Sequence, residues 1–505
     1  MNDQLTEVYA SIDALIDYAL AHLDLDPRNA DWTRNQIFAL FRLDSYPGPK
    51  TTTSAASVSD AVQDIVGSRS QAPSDEKTPD PLLAAFRAAA TTAGLFDPEE
   101  GPAYADTIMG ILSANPADLD DRFLLIEHRD GGMAAMQWFY DYCVANNYVK
   151  RAQLDRNPRF DSHGLTVTIN LAKPEFKNMK KAAAGNAVSG GYPKCTICHE
   201  NEGFAGRDKR TLRTLPVTLG GESWFWQFSP YGYFPEHLIV ASHEHRPMAI
   251  GHDTIARLLD FSDAYPQWFI GSNADLPIVG GSLLSHDHFQ GGSHRFPLMD
   301  APIARAFAIE GLEGVKAGIV RWPASVVRLR SRDRSALAEA ACRVLDAWRP
   351  FSFEECGIRA FSVLPAEGLD CGDAATGEVR RENAADPAGA EGTPGCFVQH
   401  NTANPILWRE GGDYVLDLVL RNNRTTAERP FGLFHVPERL FHIKKENIGL
   451  IEIMGRAILP ARLAAELPAI KDECSRAFYE ILQTTGVFKD DPAGRRGWET
   501  FLATI

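Results

Sequence analysis

Two histidines and a glutamine alternate along a glycine-rich stretch, GGSLLSHDHFQGG, as His286, His288 and Gln290. A strand directs alternate side chains to one face, so an extended segment would place these three together and turn Asp287 and Phe289 away. Neighbouring imidazoles disfavour each other's protonation, and a neutral imidazole can attack an electrophile or bind a metal. Glycines let an anion approach the backbone. The segment therefore predicts transfer at phosphorus, although a chance or structural histidine pair is the alternative.

Two of the eight cysteines, Cys195 and Cys198, stand close together. Their C-x-x-C spacing fits a tetrahedral zinc site that needs two further ligands. The candidates come from EHLIVASHEHRPM and from the first motif: His237, His243, His245 and His286. Two alternatives stay open, namely reduced thiols without a chemical role and a redox pair, which the preceding proline-containing loop disfavours.

The charge balance limits the classes of partner. The 505 residues include 51 Lys and Arg against 66 Asp and Glu, a formal net charge of −15. This charge argues against a nucleic-acid scaffold and against binding to an anionic membrane, but a local site can still hold a small anion. The N-terminus lacks the basic start and apolar core of a signal peptide, and no apolar run is long enough for a bilayer. We therefore expect a cytoplasmic protein without nucleic-acid or membrane partners.

Hydrophobic periodicity predicts an α/β (α+β) fold, in which a helical N-terminal region, 1–150, precedes two lobes, 151–300 and 301–505. The predicted strands are 165–171, 236–242, 319–330 and 414–423, and the predicted helices are 5–23, 252–264, 334–348 and 460–485. Residues 45–81 are polar and rich in Ser, Thr and Pro, which is typical of a long loop. Residues 364–394 are rich in Ala, Gly, Glu and Asp, which indicates a surface insertion.

Five segments in chain order closely resemble the class II galactose-1-phosphate uridylyltransferases, members of the histidine-triad superfamily. They are YPKCTICHENEGFAGR, FSPYGYFPEHLIVASHEHRPM, FIGSNADLPIVGGSLLSHDHFQGG, LDLVLRNNRT and FHIKKENIGLIEIMGRAILPARL. The resemblance runs from about residue 147 to 463. It implies histidine-triad-like lobes with mixed or antiparallel sheets, the first carrying the catalytic motif and the second ending in the C-terminal helices.

The family resemblance implies a double displacement through a uridylylated histidine. UDP-glucose and galactose 1-phosphate are then the substrates, and UDP-galactose and glucose 1-phosphate are the products. The related class I motif reads H-P-H-x-Q, so the nucleophile corresponds to His288 and the phosphate-binding glutamine to Gln290. Asn273, Gly281 and Ser282 fall near positions that hold the nucleotide phosphate and ribose. Dimers are common in the superfamily, so a homodimer is an expectation.

The resemblance also implies a structural zinc. In class I relatives it is held by two cysteines, a histidine after the preceding strand and the first motif histidine. The corresponding residues are Cys195, Cys198, His245 and His286. Asp287 stands where class I has proline, so the local backbone departs from that pattern.

Two adjacent lysines, Lys444 and Lys445 of HIKKEN, offer point charges for a sugar phosphate, and a solvated surface pair is the alternative. Two other functions compete with uridylyl transfer. One is a histidine-triad hydrolase or phosphorylase that acts on another nucleotide, and the other is a zinc-stabilised nucleotide sensor without catalysis. Hydrolases typically carry histidine where this chain has Gln290, which favours transfer to a sugar phosphate.

Overall fold

The computed structural model describes residues 3–48, 78–171, 191–281, 283–364, 378–379, 396–464 and 466–505. Most of the predicted loop 45–81, most of the predicted insertion 364–394 and the predicted site residue Ser282 lie outside these ranges. The chain forms two compact units, Met1–Ala152 with Glu200–Arg213, and Gln153–His199 with Thr214–Ile505. The division at residues 150 and 300 stays a prediction.

The first unit is helical, as the sequence predicts. Its helices are α1 Asp3–His22, α2 Ala30–Leu40, α3 Asp80–Thr92, α4 Gly101–Leu112, α5 Pro116–Asp130 and α6 Gly132–Ala145. The apolar stripe of α1 recurs every three or four residues, and Val8, Ile12, Leu15 and Ile16 from it are buried in one core. Burial of one face of the helix accounts for its stability better than intrinsic propensity does.

The second unit is built on a ten-stranded antiparallel sheet, which confirms the predicted mixed class. Its strands are β3 Leu215–Leu219, β4 Glu222–Phe228, β5 Leu238–Ser242, β6 Phe269–Gly271, β7 His288–Gly292, β8 Ile303–Phe307, β9 Lys316–Val320, β10 Val326–Ser331, β14 Asn401–Glu410 and β15 Asp413–Asn422. The spatial order is β3-β4-β5-β7-β6-β14-β15-β10-β9-β8. Strands from residues 215–292 and from residues 303–422 therefore meet where β6 pairs with β14.

Two smaller sheets complete the strands of the described residues. One has β1 Arg159–Ser162, β2 Leu165–Asn170 and β16 Arg456–Pro460, with β2 and β16 parallel. The other has β11 Phe361–Leu364, β12 Glu378–Val379 and β13 Cys396–Gln399. The remaining helices are α7 Arg151–Leu154, α8 His252–Ala264, α9 Pro297–Asp300, α10 Arg334–Trp348, α11 Leu450–Ile453, α12 Leu467–Thr485 and α13 Pro492–Leu502. In the part of the chain that is described, no helix combines the length and the apolarity needed to cross a membrane.

Two predicted elements differ from the structure. The predicted strand 319–330 is instead the hairpin of β9 and β10, because Arg321–Ser325 contains Pro323 and turns between them. The predicted helix 460–485 begins only at Leu467, since Pro460 ends β16 and a short 3-10 helix follows. By contrast, α8 and α10 begin and end at the predicted residues.

Candidate active site and metal centre

The histidine motif lies in the middle of the large sheet. Strand β7 pairs with β5 on one side, with His288 opposite Ala241, and with β6 on the other, with Gln290 opposite Gly271. A Cβ at Gly291 would lie 2.5 Å from the carbonyl oxygen of Phe269. At this position the absence of a side chain allows a neighbouring strand to approach closely, whereas the sequence-based expectation was that the glycines admit a ligand.

The four predicted zinc ligands come together at the start of β7. Their ligand atoms all lie within 4.8 Å of one another, and they belong to Cys195, Cys198, His245 and His286. The two sulfurs are 3.4 Å apart, and Nδ1 of His286 lies 3.2 Å from Sγ of Cys195. Nδ1 of His245 lies 3.2 Å from Sγ of Cys198. Two thiolates and two imidazoles form a donor set typical of structural zinc.

Local hydrogen bonds prepare these residues for a cation. Nε2–H of His286 donates to the carbonyl oxygen of Ser242 at 2.7 Å, so its Nδ1 lone pair faces the sulfurs. Such a contact fixes the tautomer of a metal-binding histidine. The hydrogen bond from Cys195 lowers the pKa of the Cys198 thiol, which favours the thiolate that binds metals. His243 lies outside the cluster and stacks on His199, with ring centroids 4.6 Å apart.

His288 has the orientation of a nucleophile. Its Nδ1–H donates to the carbonyl oxygen of His286 at 2.8 Å, which leaves the Nε2 lone pair unprotonated. Burial lowers the pKa of His288 to about 4, so the ring is neutral at physiological pH. Within the described ranges no protein group forms a hydrogen bond to Nε2 of His288. A neutral imidazole oriented through its other nitrogen can attack phosphorus.

Gln290 shares a strand face with His288 and is held by His237. Nε2 of His237 lies 3.0 Å from Oε1 of Gln290. In the described part of the chain, no protein group accepts a hydrogen bond from the Gln290 amide nitrogen. From the sequence, His237 was only a candidate zinc ligand, and its contact with Gln290 was not predicted. The predicted strand 236–242 places residues 237 and 239 on one face, and this alternation was the available signal.

Asp287, which replaces the class I proline, supports the motif through its backbone and its carboxylate. Its N–H donates to the carbonyl oxygen of Arg246 at 2.7 Å, a hydrogen bond that a proline cannot make. Its carboxylate lies 3.6 Å from Arg246 and 3.9 Å from Arg257. Burial raises the pKa of Asp287 to about 6 against the opposing effect of the two arginines. Phe289, on the strand face away from His288 and Gln290, stacks on Trp224 at 4.9 Å.

Asn273 and Gly281 lie against each other. A Cβ at Gly281 would be 2.6 Å from Nδ2 of Asn273, so only glycine fits there without a shift of the amide. Asn273 is buried, and its Oδ1 accepts a hydrogen bond from the backbone N–H of Leu450 at 2.8 Å. The amide thus ties the segment before the motif to the start of α11. Their role toward a nucleotide stays a prediction.

The two lysines occupy different environments. Lys444 is buried and forms ion pairs with Glu452 at 3.0 Å and Glu446 at 3.2 Å. Burial lowers the pKa of Lys444, but these carboxylates outweigh that effect and raise it overall. Lys445 is exposed, with Nζ 5.9 Å from the ring of Phe441. The solvated-surface alternative therefore describes Lys445 but not Lys444.

Comparison with known proteins finds similarity to galactose-1-phosphate uridylyltransferases. Residues 73–247 match the family described as galactose-1-phosphate uridyl transferase, N-terminal domain. The chain is 64% identical to a galactose-1-phosphate uridylyltransferase of Bifidobacterium longum subsp. longum, over 94% of this chain and 85% of that protein. It is 36% identical to one of Halalkalibacterium halodurans, over 99% of each. Among solved structures, yeast Ap4A phosphorylase Apa2 is similar at 11% identity with a TM-score of 0.33, over 73% of this chain and 93% of that one.

Proposed function

The chain belongs to the galactose-1-phosphate uridylyltransferase family, and on that premise we propose that His288 carries the uridylyl group. The chain is a nucleotidyltransferase of galactose metabolism, which converts UDP-glucose and galactose 1-phosphate to glucose 1-phosphate and UDP-galactose. The proposal is supported above all by one observation. The Nδ1–H of His288 is bound to a backbone carbonyl, so Nε2 is the nitrogen that presents a lone pair.

The first half-reaction forms a bond between Nε2 of His288 and the α-phosphorus of UDP-glucose. The bond from that phosphorus to the bridging oxygen breaks, and glucose 1-phosphate leaves with the electron pair. The imidazole becomes positively charged, and the hydrogen bond from its Nδ1–H to the His286 carbonyl stabilises that charge. In the second half-reaction an oxygen of galactose 1-phosphate attacks the same phosphorus. The nitrogen–phosphorus bond then breaks, which returns the neutral imidazole and releases UDP-galactose.

Gln290 stabilises charge on the phosphoryl oxygens. Its amide nitrogen lies on the strand face of His288 and donates a hydrogen bond to a non-bridging oxygen. An oriented donor of this kind lowers the barrier without any reorganisation during the reaction. Asn273 and Gly281 contribute to the nucleotide site, together with Ser282. Lys445 is exposed and supplies a cation for the sugar phosphate more readily than Lys444, whose charge is already paired.

Zinc is the proposed ion for Cys195, Cys198, His245 and His286. When bound there it supplies a structural crosslink rather than a reacting group. The ring of His286 belongs to the cluster at the start of β7, while the backbone carbonyl of His286 orients His288. The position of the His286 backbone therefore determines both the geometry of the metal cluster and the orientation of His288.

Composition supports a cytoplasmic location, and the superfamily resemblance supports a homodimer. Family membership supports a UDP-sugar and a hexose 1-phosphate as substrates. Cell fractionation and native mass measurement check the first two points. A product assay with UDP-glucose and galactose 1-phosphate excludes the hydrolase and the sensor if UDP-galactose and glucose 1-phosphate form in equal amounts.

The assignment of His288 is tested by removing its ring and supplying a substitute. His288→Gly should abolish transfer from UDP-glucose but leave a cavity. Uridine 5′-phosphoimidazolide brings an imidazole that already carries the uridylyl group, and with galactose 1-phosphate it should restore UDP-galactose formation. Steady turnover of UDP-glucose by His288→Gly without rescue would show that another residue is the nucleophile.

A further inference from the structure

The ring of His237 is fixed by the residues before strand β5. It is 5% exposed and stacks on Phe234 with centroids 4.6 Å apart at an interplanar angle of 29°. Tyr233 lies on it at 5.6 Å, also at 29°. A Cβ at Gly232 would lie 3.0 Å from Cβ of His237, so the backbone passes tightly by it. This packing leaves the imidazole little rotational freedom.

The contacts of the two ring nitrogens assign the tautomer of His237. The backbone N–H of Tyr233 points at Nδ1 from 3.4 Å, and since it can only donate, Nδ1 must accept. The proton of the neutral ring is therefore on Nε2. That nitrogen lies 3.0 Å from Gln290 and donates to its carboxamide. A donor at this position requires an acceptor, so the Gln290 atom facing His237 is Oε1.

We propose that His237 is a positioning residue that fixes which end of the Gln290 carboxamide faces the uridylyl phosphate. With Oε1 held by His237, the NH2 group is the end left to donate to a phosphoryl oxygen. A flipped amide would instead present Oε1 to a negatively charged oxygen, which repels it. The strand register supports the contact, because Gln290 pairs with Ile239 and residue 237 is the next position on the same face. This inference rests on the proposed function, in which Gln290 binds the phosphate.

Replacing His237 by Gln or by Asn tests whether its hydrogen bond to Gln290 matters or only its packing, because the two amides place their donor at different positions. In His237→Gln the side-chain Nε2 falls near the place of the histidine Nε2 and can still donate to Gln290. In His237→Asn the amide falls near Nδ1 and cannot reach. We expect His237→Asn and His237→Leu to slow formation of the uridylyl-enzyme by roughly 10-fold, the upper range for one hydrogen bond. His237→Gln should lie within about 3-fold of the wild-type rate.

A double-mutant cycle tests whether His237 acts through Gln290. Gln290→Ala alone should slow the step by roughly 10²–10³-fold. In that background His237→Leu should add less than about 2-fold, because the group that it orients is gone. The KM for UDP-glucose should change little in His237→Leu, since the lost interaction is with a developing charge. Zinc content and circular dichroism should match wild type in every variant that is compared.

Each outcome has one meaning. A full 10-fold effect of His237→Leu in the Gln290→Ala background would overturn the proposal, because His237 would then act on substrate or fold directly. Equal rates for His237→Gln and His237→Asn would overturn it as well. If His237→Leu does not fold, the comparison of His237→Gln with His237→Asn still tests the proposal. If wild type forms its adduct on a residue other than His288, the proposed function fails instead, and that result is visible before any His237 variant is made.

Discussion

The carbonyl oxygen of His286 accepts the Nδ1–H of His288 at 2.8 Å, while Nδ1 of the His286 ring lies 3.2 Å from Sγ of Cys195. One residue thus belongs to the candidate metal centre through its side chain and to the nucleophile through its main chain. A change in the metal cluster should therefore alter the orientation of His288. Neither the cluster nor the histidine motif indicates this coupling when it is considered alone.

The first prediction concerns metal content. Purified protein should hold about one equivalent of zinc, and Cys195→Ser should lower that content, the melting temperature and transferase activity together. The expected cause is loss of the crosslink that holds the start of β7. Elemental analysis and thermal unfolding measure these effects. Cys342→Ser, at a half-buried cysteine outside the cluster, is the control and should keep the metal. A metal-free preparation with full activity would contradict this expectation.

The second prediction concerns the residue between the two histidines. Asp287→Pro removes the N–H that donates to the Arg246 carbonyl and should lower the free energy of unfolding by about 1–3 kcal/mol, because that carbonyl oxygen is left without its hydrogen bond. Asp287→Asn keeps that N–H and should cost less. Urea unfolding of the two variants gives the comparison. Equal stability of the two variants would mean that the backbone contact is unimportant.

The third prediction uses two adjacent lysines. Lys444→Met leaves Glu452 buried without its cation and should destabilise the fold by about 3–5 kcal/mol. Lys445→Met changes an exposed side chain and should alter stability by less than about 0.5 kcal/mol. If Lys445 binds the sugar phosphate, its variant should raise the KM for galactose 1-phosphate. Urea unfolding and initial rates measure the two effects, and similar stability losses in both variants would be the contrary result.

The fourth prediction concerns stability in mild acid. Burial, then Arg456 and Arg159, lower the pKa of His294 to about 4 from its usual 6.5, and Arg456 Nη1 lies 3.2 Å from its Nε2. Between pH 6.5 and 4 the unfolded chain binds a proton that the folded state does not. The contribution of His294 to stability is therefore present above pH 6.5 and is lost as the pH falls toward 4.

His294→Gln keeps an acceptor for Arg456 but does not titrate, so it should lose less stability between pH 7 and pH 4.5 than wild type does. Urea midpoints at the two pH values give the comparison, with the exposed His442→Gln as the control. Parallel losses in wild type and His294→Gln would show that another group is responsible.

The sequence predicted well the helices and strands whose ends are specified by neighbouring residues. Helix α10 begins where Asp333 caps it by accepting from the N–H groups of Ser335 and Ala336, and an aspartate before an apolar rhythm is visible in sequence. The four clustered metal-ligand candidates followed from motif resemblance, which already encodes distant contacts. Pairing of β6 with β14 did not follow, because register between strands more than a hundred residues apart leaves no local mark.

The supporting contacts of the site were also not identified from the sequence. His237 belonged to a histidine-rich segment that offered three zinc candidates, and only the fold sends its ring to Gln290. Arg246 and Arg257 come from a loop and a helix, yet both lie near the Asp287 carboxylate. Long charged side chains reach partners that are set by tertiary packing, so their pairing cannot be obtained from spacing.

The most direct test of His288 as the nucleophile is mass spectrometry of the enzyme mixed with UDP-glucose in the absence of an acceptor. We predict a uridylyl adduct that maps to the peptide with His288, appears with an equivalent of glucose 1-phosphate, and disappears when galactose 1-phosphate is added. An adduct on any other residue, or transfer to galactose 1-phosphate without any covalent intermediate, would contradict the account.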